Sequence, residues 1–260
     1  MKHGSRIAAV SITVITGLFG VSSAPRAELS KQDKPAYQST GSEGTLSGKI
    51  SFLGEVPEPR QIDESADPFC QGDNNPLFTE DAIVTRGKLA NVVVYVRSGD
   101  PLEWYVFDPP TTESLLAQHG CQLVPHVLAM QTRQILKISN DDATTHNTHV
   151  MPKSNPDWNQ SQPANAEPLQ TKFRNPEIIP VKDNQHPWEK AYVAVFAHPF
   201  FAVSAPNGSY KISGLPPGSY TVVAWHERFG EQTAEISIGI REQKNLDFAF
   251  KNPKEAKQSP

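Results

Sequence analysis

Branched apolar residues recur at every second position in several short runs of the chain. The runs 92–96 and 236–240 show this pattern most clearly, and its period is that of a β-strand covered on one face. Similar runs, bounded by turn-forming residues, occur along the whole chain beyond residue 44. The predicted strands cover residues 45–52, 91–97, 124–130, 134–139, 192–196, 209–212, 220–225, 233–238 and 246–250.

Turn sequences separate these strands. Asn-Gly at 207–208 and Leu-Pro-Pro-Gly at 215–218 are typical of hairpins and tight turns. One short helix is predicted at 112–118, and the polar, Pro-interrupted stretch 154–168 is predicted to be a long surface loop. Strands at this spacing favour an all-β fold of antiparallel β-sandwiches over parallel α/β units.

The N-terminal residues have the pattern of an export signal. Lys2 and Arg6 precede an uncharged run of about 15 residues, too short to span a bilayer, which small residues follow. We predict a signal peptide at 1–27, no transmembrane segment, and an exported protein of the periplasm or the extracellular space. Residues 28–43 contain few apolar side chains and are predicted to be a disordered linker.

Composition and charge exclude some functions. The formal net charge is −4, and removal of the signal peptide would take away positive residues and no acidic ones. Such a chain has no electrostatic reason to bind nucleic acid. With 23 Pro, 16 Gly and 37% hydrophobic residues, the chain should be rich in loops and still form a core.

Cys70 and Cys121 are the only cysteines. In an exported protein, such a pair most simply forms one disulfide. The alternative is two free thiols, with Cys121 as a metal ligand.

Two short polar segments contain the candidate chemistry. The first, at 140–149, reads Asn-Asp-Asp-Ala-Thr-Thr-His-Asn-Thr-His and follows a predicted strand. The second, at 183–189, reads Asp-Asn-Gln-His-Pro-Trp-Glu. Together these segments resemble the two metal-binding loops of cupredoxins, the family of small blue-copper proteins that includes plastocyanin and amicyanin.

This resemblance implies roles for individual residues. His146 and His186 match the two imidazole ligands of the family, and Asn147 matches the residue that ties the two loops together. Where the family has a Cys and a Met, this chain has Asp183 and Glu189 at the same spacing, which are hard oxygen donors. Two imidazoles with up to two carboxylates suit Cu(II) or Zn(II). Blue-copper electron transfer is therefore not expected.

His149 is a candidate third imidazole. Because His146 and His149 would face opposite sides of a strand, their convergence requires a loop or a bulge. The alternative to a metal site is a cupredoxin-like shell without metal, in which His146 and Asp183 form a structural pair.

The C-terminal part of the chain resembles a second family. The segment 205–225, with its Asn-Gly and Leu-Pro-Pro-Gly-Ser-Tyr turns, and the segment 48–57 are similar to the carboxypeptidase regulatory-like domain, a transthyretin-like β-sandwich. The two resemblances imply a cupredoxin-like sandwich combined with a regulatory-like antiparallel β-sandwich. The implied division is a regulatory-like sandwich built from residues 44–114 and 199–250, a cupredoxin-like domain at 115–198, and a tail at 251–260.

We therefore predict an exported cupredoxin-like metal-binding protein with copper or zinc as its cofactor and an exported protein as a further partner. It is not expected to be an enzyme, since the sequence shows no nucleophile elbow, phosphate-binding loop, dinucleotide fingerprint or zinc-protease helix. One alternative is a structural or interaction module without metal, including one that binds carbohydrate on aromatic faces. Another is a hydrolase or oxidase whose metal keeps an open position.

Overall fold

Strands in four sheets make up nearly all of the regular structure. The computed structural model describes residues 1, 34–72 and 76–252. The predicted signal peptide beyond Met1, residues 28–33 of the predicted linker and residues 253–260 of the predicted tail lie outside the described residues. The described part contains no helix with the length and apolar character needed to cross a membrane. The predicted all-β fold class is confirmed.

The strands are numbered in chain order. Their bounds are β1 Gly44–Leu53, β2 Val84–Thr85, β3 Lys88–Leu89, β4 Val93–Gly99, β5 Ser114–Gln118, β6 Leu123–Val124, β7 Val127–Gln131, β8 Leu136–Asn140, β9 His146–Val150, β10 Trp158–Gln162, β11 Leu169–Thr171, β12 Glu177–Lys182, β13 Lys190–Phe196, β14 Phe201–Val203, β15 Ser209–Leu215, β16 Gly218–His226, β17 Gly230–Ile238, β18 Gln243–Asn245 and β19 Phe248–Lys251. An α-helix, α1, spans Asp100–Trp104, and a 3-10 turn spans Cys70–Gly72.

The first apolar core lies between two of the sheets. One sheet has the order β15-β1-β3-β2, with β18 and β19 also paired to β1, and the other has the order β14-β4-β16-β17. Val94 and Val96 of β4 face this core, together with Leu46, Ile50 and Val222. Its buried residues come from the ranges 46–107 and 200–250.

A second core lies between the sheets β10-β9-β12-β13-β7 and β11-β8-β5-β6. Its buried residues all come from the range 116–195 and include Ile138, Val150 and Val193. A third apolar cluster joins the two sandwiches, with Val93 of β4 packed near Ala194 of β13. Strands β4 and β13 are therefore covered on both faces, and β9, which carries His146, pairs with β12, after which the turn with Asp183 begins.

Two local predictions were wrong. Residues 114–118, within the predicted helix, form β5, because Leu116 faces the second core and the strand pairs with β8. The predicted surface loop at 154–168 contains β10, which pairs with β9. The pairings β5–β8, β7–β13 and β1–β19 are parallel, so the sheets are not purely antiparallel. The chain that links β5 to β8 contains β6 and β7, which provides the crossover a parallel pair requires.

Residues 34–43, predicted as the end of a disordered linker, lie against the first sandwich. The Tyr37 amide donates to the carbonyl of Val106 at 2.8 Å. The Tyr37 ring packs against Tyr105 and Phe107 at centroid distances of 5.3 Å. One aromatic side chain thus attaches this polar segment to the first sandwich.

The predicted disulfide between Cys70 and Cys121 is present, with a Cα–Cα distance of 5.7 Å and a sequence separation of 51 residues. By the entropy of loop closure, a crosslink over this separation stabilises the fold by about 4 kcal/mol. We expect the Cys70→Ala/Cys121→Ala variant to lose about that much free energy of unfolding, as measured by urea denaturation. A loss below about 1 kcal/mol would show that the bond contributes little to global stability.

Candidate metal centre

The candidate residues lie at one end of the second sandwich, where β9 and β12 meet. The two strands pair through Val181 with Val150 and through Lys182 with His149. Antiparallel pairing places the residue that follows β12, Asp183, beside the first residues of β9. The Asn147 amide donates to Asp183 Oδ2 at 2.9 Å, and the Asn184 amide donates to Asn147 Oδ1 at 3.3 Å. Asn147 therefore links the two candidate loops.

The turn between β12 and β13 brings Asp183, His186 and Glu189 to one side. Asp183 Oδ1 accepts hydrogen bonds from the amides of Gln185 at 2.6 Å and His186 at 3.0 Å. The Glu189 amide donates to the His186 carbonyl at 2.9 Å, and the Asp183 amide donates to the Glu189 carbonyl at 3.1 Å. An aspartate that bonds to its own following amides nucleates a tight turn, which explains the local conformation.

Four donor atoms from His146, Asp183, His186 and Glu189 converge in this turn, and each of these residues is at most 2% exposed. His146 Nδ1 lies 3.0 Å from Asp183 Oδ2 and 3.1 Å from Glu189 Oε1. His186 Nδ1 lies 3.1 Å and 3.6 Å from the same two oxygens. The ligands of a tetrahedral zinc ion are about 3.3 to 3.6 Å apart, given bond lengths of about 2.0 to 2.2 Å. Three of the four separations are a few tenths of an ångström shorter than this, as in hydrogen-bonded pairs, so the donor types suit a small divalent cation and its binding would move the donors slightly apart.

A carboxylate lies at the other nitrogen of each imidazole. His146 Nε2 is 3.0 Å from Asp142 Oδ2, and His186 Nε2 is 3.1 Å from Asp67 Oδ2. In metalloproteins such an outer carboxylate accepts a hydrogen bond from Nε2–H, which keeps the proton on Nε2, orients the ring and leaves the Nδ1 lone pair free for a metal. We assign Asp142 and Asp67 this role. The sequence analysis missed both residues, although Asp142 lies four residues before His146 and Asp67 lies three residues before Cys70.

The pKa values reflect this concentration of acids. Burial alone would lower the pKa of His146, but hydrogen bonds to Asp142 and Asp183 and the charge of Glu189 raise it to about 11. Burial alone would raise the pKa of Asp183, but hydrogen bonds from His146 and the Asn147 amide hold it well below its ordinary value. Without a metal, His146 is therefore an imidazolium between carboxylates. A metal that binds at Nδ1 must displace that proton.

Glu189 is the exception in this network. Both of its carboxylate oxygens are buried and accept no hydrogen bond, although Oε1 lies 3.1 Å from His146 Nδ1. Burial raises the pKa of Glu189. A buried carboxyl whose oxygens accept no well-oriented hydrogen bond is costly, even beside a cationic imidazole.

His149 does not join the four donors. It stands in the regular strand β9, where odd spacing places it on the face opposite His146. Its Nε2 is 3.5 Å from Asp157 Oδ1, and its Nδ1 is 3.3 Å from Asn184 Nδ2. Because β9 has no bulge here, the condition for convergence of the two histidines is not met.

Trp188 stabilises the turn between β12 and β13 through contacts on its outer side. Its Nε1 donates to the Cys121 carbonyl at 3.1 Å, and its ring centroid is 5.3 Å from that of His186. The indole therefore holds the turn against the residue that forms the disulfide.

Comparisons with known proteins give one family match and several remote structural neighbours. Residues 181–251 match the carboxypeptidase regulatory-like domain family. A purple cupredoxin from Nitrosopumilus maritimus shares 15% identity over 32% of this chain and 98% of its own, with a TM-score of 0.28. A Cu(I) amicyanin variant shares 14% identity over 32% of this chain and 81% of its own, with a TM-score of 0.29. A copper-containing nitrite reductase from Thermus scotoductus SA-01 shares 12% identity over 56% of this chain and 28% of its own, with a TM-score of 0.31.

No curated protein matches the sequence. The protein is thus an all-β chain, part of which matches the carboxypeptidase regulatory-like domain family. Cupredoxins are among its remote structural neighbours. At these identities and TM-scores, the neighbours assign no activity, and what the chain does has to be inferred from its own residues.

Proposed function

We propose that this protein binds one divalent cation, Cu(II) or Zn(II), through His146, Asp183, His186 and Glu189. The observation that supports this proposal best is the convergence of four buried donor atoms, one of which belongs to a Glu189 carboxyl that accepts no well-oriented hydrogen bond. Two carboxylates supply two negative charges, which a divalent cation cancels. Without such an ion, the charge of Glu189 would be met by the His146 imidazole 3.1 Å away, in a geometry that forms no good hydrogen bond.

The type of donor limits the chemistry of the bound ion. Carboxylate oxygen and imidazole nitrogen favour Cu(II) and Zn(II), whereas Cu(I) prefers the soft sulfur ligands that this group of residues lacks. Electron transfer by cycling between Cu(II) and Cu(I) would therefore be disfavoured. We propose that the protein stores, delivers or is stabilised by its metal rather than acting as a blue-copper electron carrier.

We also propose that the protein acts outside the cytoplasm. The signal-like pattern at 1–27 supports this proposal, and so does the buried disulfide, because disulfides persist in oxidising compartments.

The direct test is metal analysis of protein purified without added metal and then titrated with Cu(II) or Zn(II). We expect about one equivalent to bind, and we expect the Cu(II) form to lack the intense visible band that a thiolate ligand gives. Calorimetry would report the stoichiometry and absorption spectroscopy the colour. A protein that takes up neither ion would disprove the proposal, and an intense blue form would disprove the assignment of oxygen donors.

A metal-free structural or interaction module is the second candidate. The hydrogen bond of 3.0 Å between His146 and Asp183 favours it, since such a pair needs no ion. On this alternative, thermal stability and any association with an exported partner would be identical with and without EDTA. A clear drop in melting temperature after EDTA treatment would count against it.

A further inference from the structure

The Cys70–Cys121 disulfide lies beside both candidate imidazoles. The Cys70 sulfur is within 4.8 Å of donor atoms of Asp67 and His186. The Cys121 sulfur is within 4.8 Å of donor atoms of Asp142 and His146. Each half of the disulfide therefore adjoins one imidazole and the carboxylate that faces its Nε2.

The Cys121 half fixes Asp142 directly. The amides of Gly120 and Cys121 donate to the two oxygens of Asp142 at 2.7 Å and 2.9 Å. Cys121 has a φ of 54°, in the left-handed region that a residue with a Cβ seldom adopts. Such a conformation persists only where surrounding contacts hold it, and the covalent bond to Cys70 is one of them. Both amides point at Asp142 only while this turn keeps its shape.

The Cys70 half fixes Asp67. Asp67 belongs to the long connection between β1 and β2, whose strands are part of the first sandwich. The Gln71 amide donates to the Asp67 carbonyl at 3.1 Å and the Phe69 amide donates to Asp67 Oδ1 at 2.8 Å, so one tight turn contains both Asp67 and Cys70. Asp67 Oδ2 then reaches His186 Nε2 at 3.1 Å and the hydroxyl of Thr144 at 2.8 Å.

We propose that this disulfide sets the metal affinity of the centre, because it fixes Asp142 and Asp67 as the positioning residues of His146 and His186. This inference rests on the proposed metal-binding function. A disulfide with a purely stabilising role would change the free energy of unfolding and leave the metal affinity of the folded protein unchanged. A disulfide that positions the carboxylates changes that affinity in protein that is still folded.

The test is the Zn(II) dissociation constant, measured by competition with a chromophoric chelator. The variants are Asp67→Asn, the Cys70→Ala/Cys121→Ala pair, and the two changes combined. Loss of an outer-shell carboxylate typically weakens metal binding about 10- to 100-fold, and we expect that range for Asp67→Asn and for removal of the disulfide. Asp67→Asn and removal of the disulfide both disturb the contact between Asp67 and His186. The combined variant should therefore have nearly the same Zn(II) dissociation constant as the cysteine variant alone.

Asp63→Asn is the matched control. Asp63 lies in the same connection, and its carboxylate accepts the Ser65 amide at 3.0 Å rather than a hydrogen bond from a site imidazole. Its substitution should leave the Zn(II) dissociation constant unchanged. Far-UV circular dichroism establishes that each variant is folded at the temperature of the titration.

The outcomes separate this inference from the proposed function. If the unsubstituted protein binds no Zn(II), the proposed function itself fails. If it binds Zn(II) and removal of the disulfide leaves the affinity unchanged, or the two changes are additive, the inference is overturned. If the cysteine variant does not fold, Asp67→Asn and Asp142→Asn decide the matter with the disulfide intact. Unchanged affinity and an unchanged Cu(II) electron paramagnetic resonance spectrum in both would overturn the inference.

Discussion

Metal binding should be lost when His146 and His186 are both replaced by Ala. A structural four-ligand zinc site contributes about 10 to 16 kcal/mol, so each ligand accounts for roughly 3 kcal/mol. Removal of two ligands should therefore weaken Zn(II) binding on the order of ten thousandfold. Equilibrium competition with a chelator would measure this loss, and elemental analysis should find no retained metal after gel filtration.

His149→Ala is the matched control for this experiment, because His149 lies on the same strand and faces away from the four donors. The His149→Ala variant should have the same Zn(II) dissociation constant as the unsubstituted protein. Loss of the buried imidazolium also leaves the carboxylates of Asp142 and Asp183 with backbone amide donors but without their cationic partner, which costs about 3 to 5 kcal/mol of stability. Should the double Ala variant fail to fold, His146→Asn is the milder change, since its amide can still donate to a carboxylate. Undiminished metal uptake in a folded double variant would rule out the proposed centre.

Apolar runs and the turns that bound them predicted nine of the nineteen described strands, because the cores impose the periodicity of these nine directly. On β4, Val94 and Val96 face one core while Val93 faces the junction between the sandwiches. Prediction of secondary structure failed where the local helix or strand preference of the residues disagrees with the strand pairing that the tertiary fold imposes. The sequence Ser-Leu-Leu-Ala-Gln of β5 consists mostly of good helix formers, yet its parallel pairing with β8 makes it a strand. Strand β10 is polar and exposed, so it carries no apolar period to detect.

The resemblance to the two cupredoxin loops points to the four candidate donors and to His149, and three of the four lie within a single turn. Asp67 could not be found in this way. It lies 119 residues from His186, and only the folded chain brings the two together. Asp142 lies inside one of the quoted segments, but its role depends on the Gly120–Cys121 turn, which the sequence does not place beside it. Long-range partners of this kind are set by topology rather than by local pattern.

The pairing of each imidazole with an outer carboxylate also bears on how a metal would enter. All four donors are buried, and His186 is covered on its Nε2 side by Asp67. Asp67 lies in the long connection between β1 and β2, and the strands at the two ends of this connection belong to the first sandwich. Asp67 and Cys70 both lie against the centre, and if they position His186 as we propose, the metal affinity depends on a segment distant in sequence.

Replacement of Asp183 by Cys should change the colour of the Cu(II) protein. Asp183 Oδ2 lies 3.0 Å from Nδ1 of His146 and 3.1 Å from Nδ1 of His186, so a thiolate at this position would share the ion with both imidazoles. The amides of Asn147 and Gln185 point at the side chain and would donate to the sulfur. A thiolate ligand stabilises Cu(I) and gives Cu(II) an intense charge-transfer band, neither of which carboxylate provides.

We therefore expect Asp183→Cys loaded with Cu(II) to absorb strongly in the visible region and to have a more positive reduction potential than the unsubstituted protein. Asp183→Asn is the control, because it keeps the shape of the side chain without a thiolate and should remain weakly coloured. A thiol assay must first find one free thiol per chain, which excludes exchange with the Cys70–Cys121 disulfide. If that thiol is free, copper is bound and no intense band develops, residue 183 does not touch the metal. The ligand set would then reduce to the two imidazoles and Glu189, whose buried carboxyl would be the remaining oxygen donor of the turn.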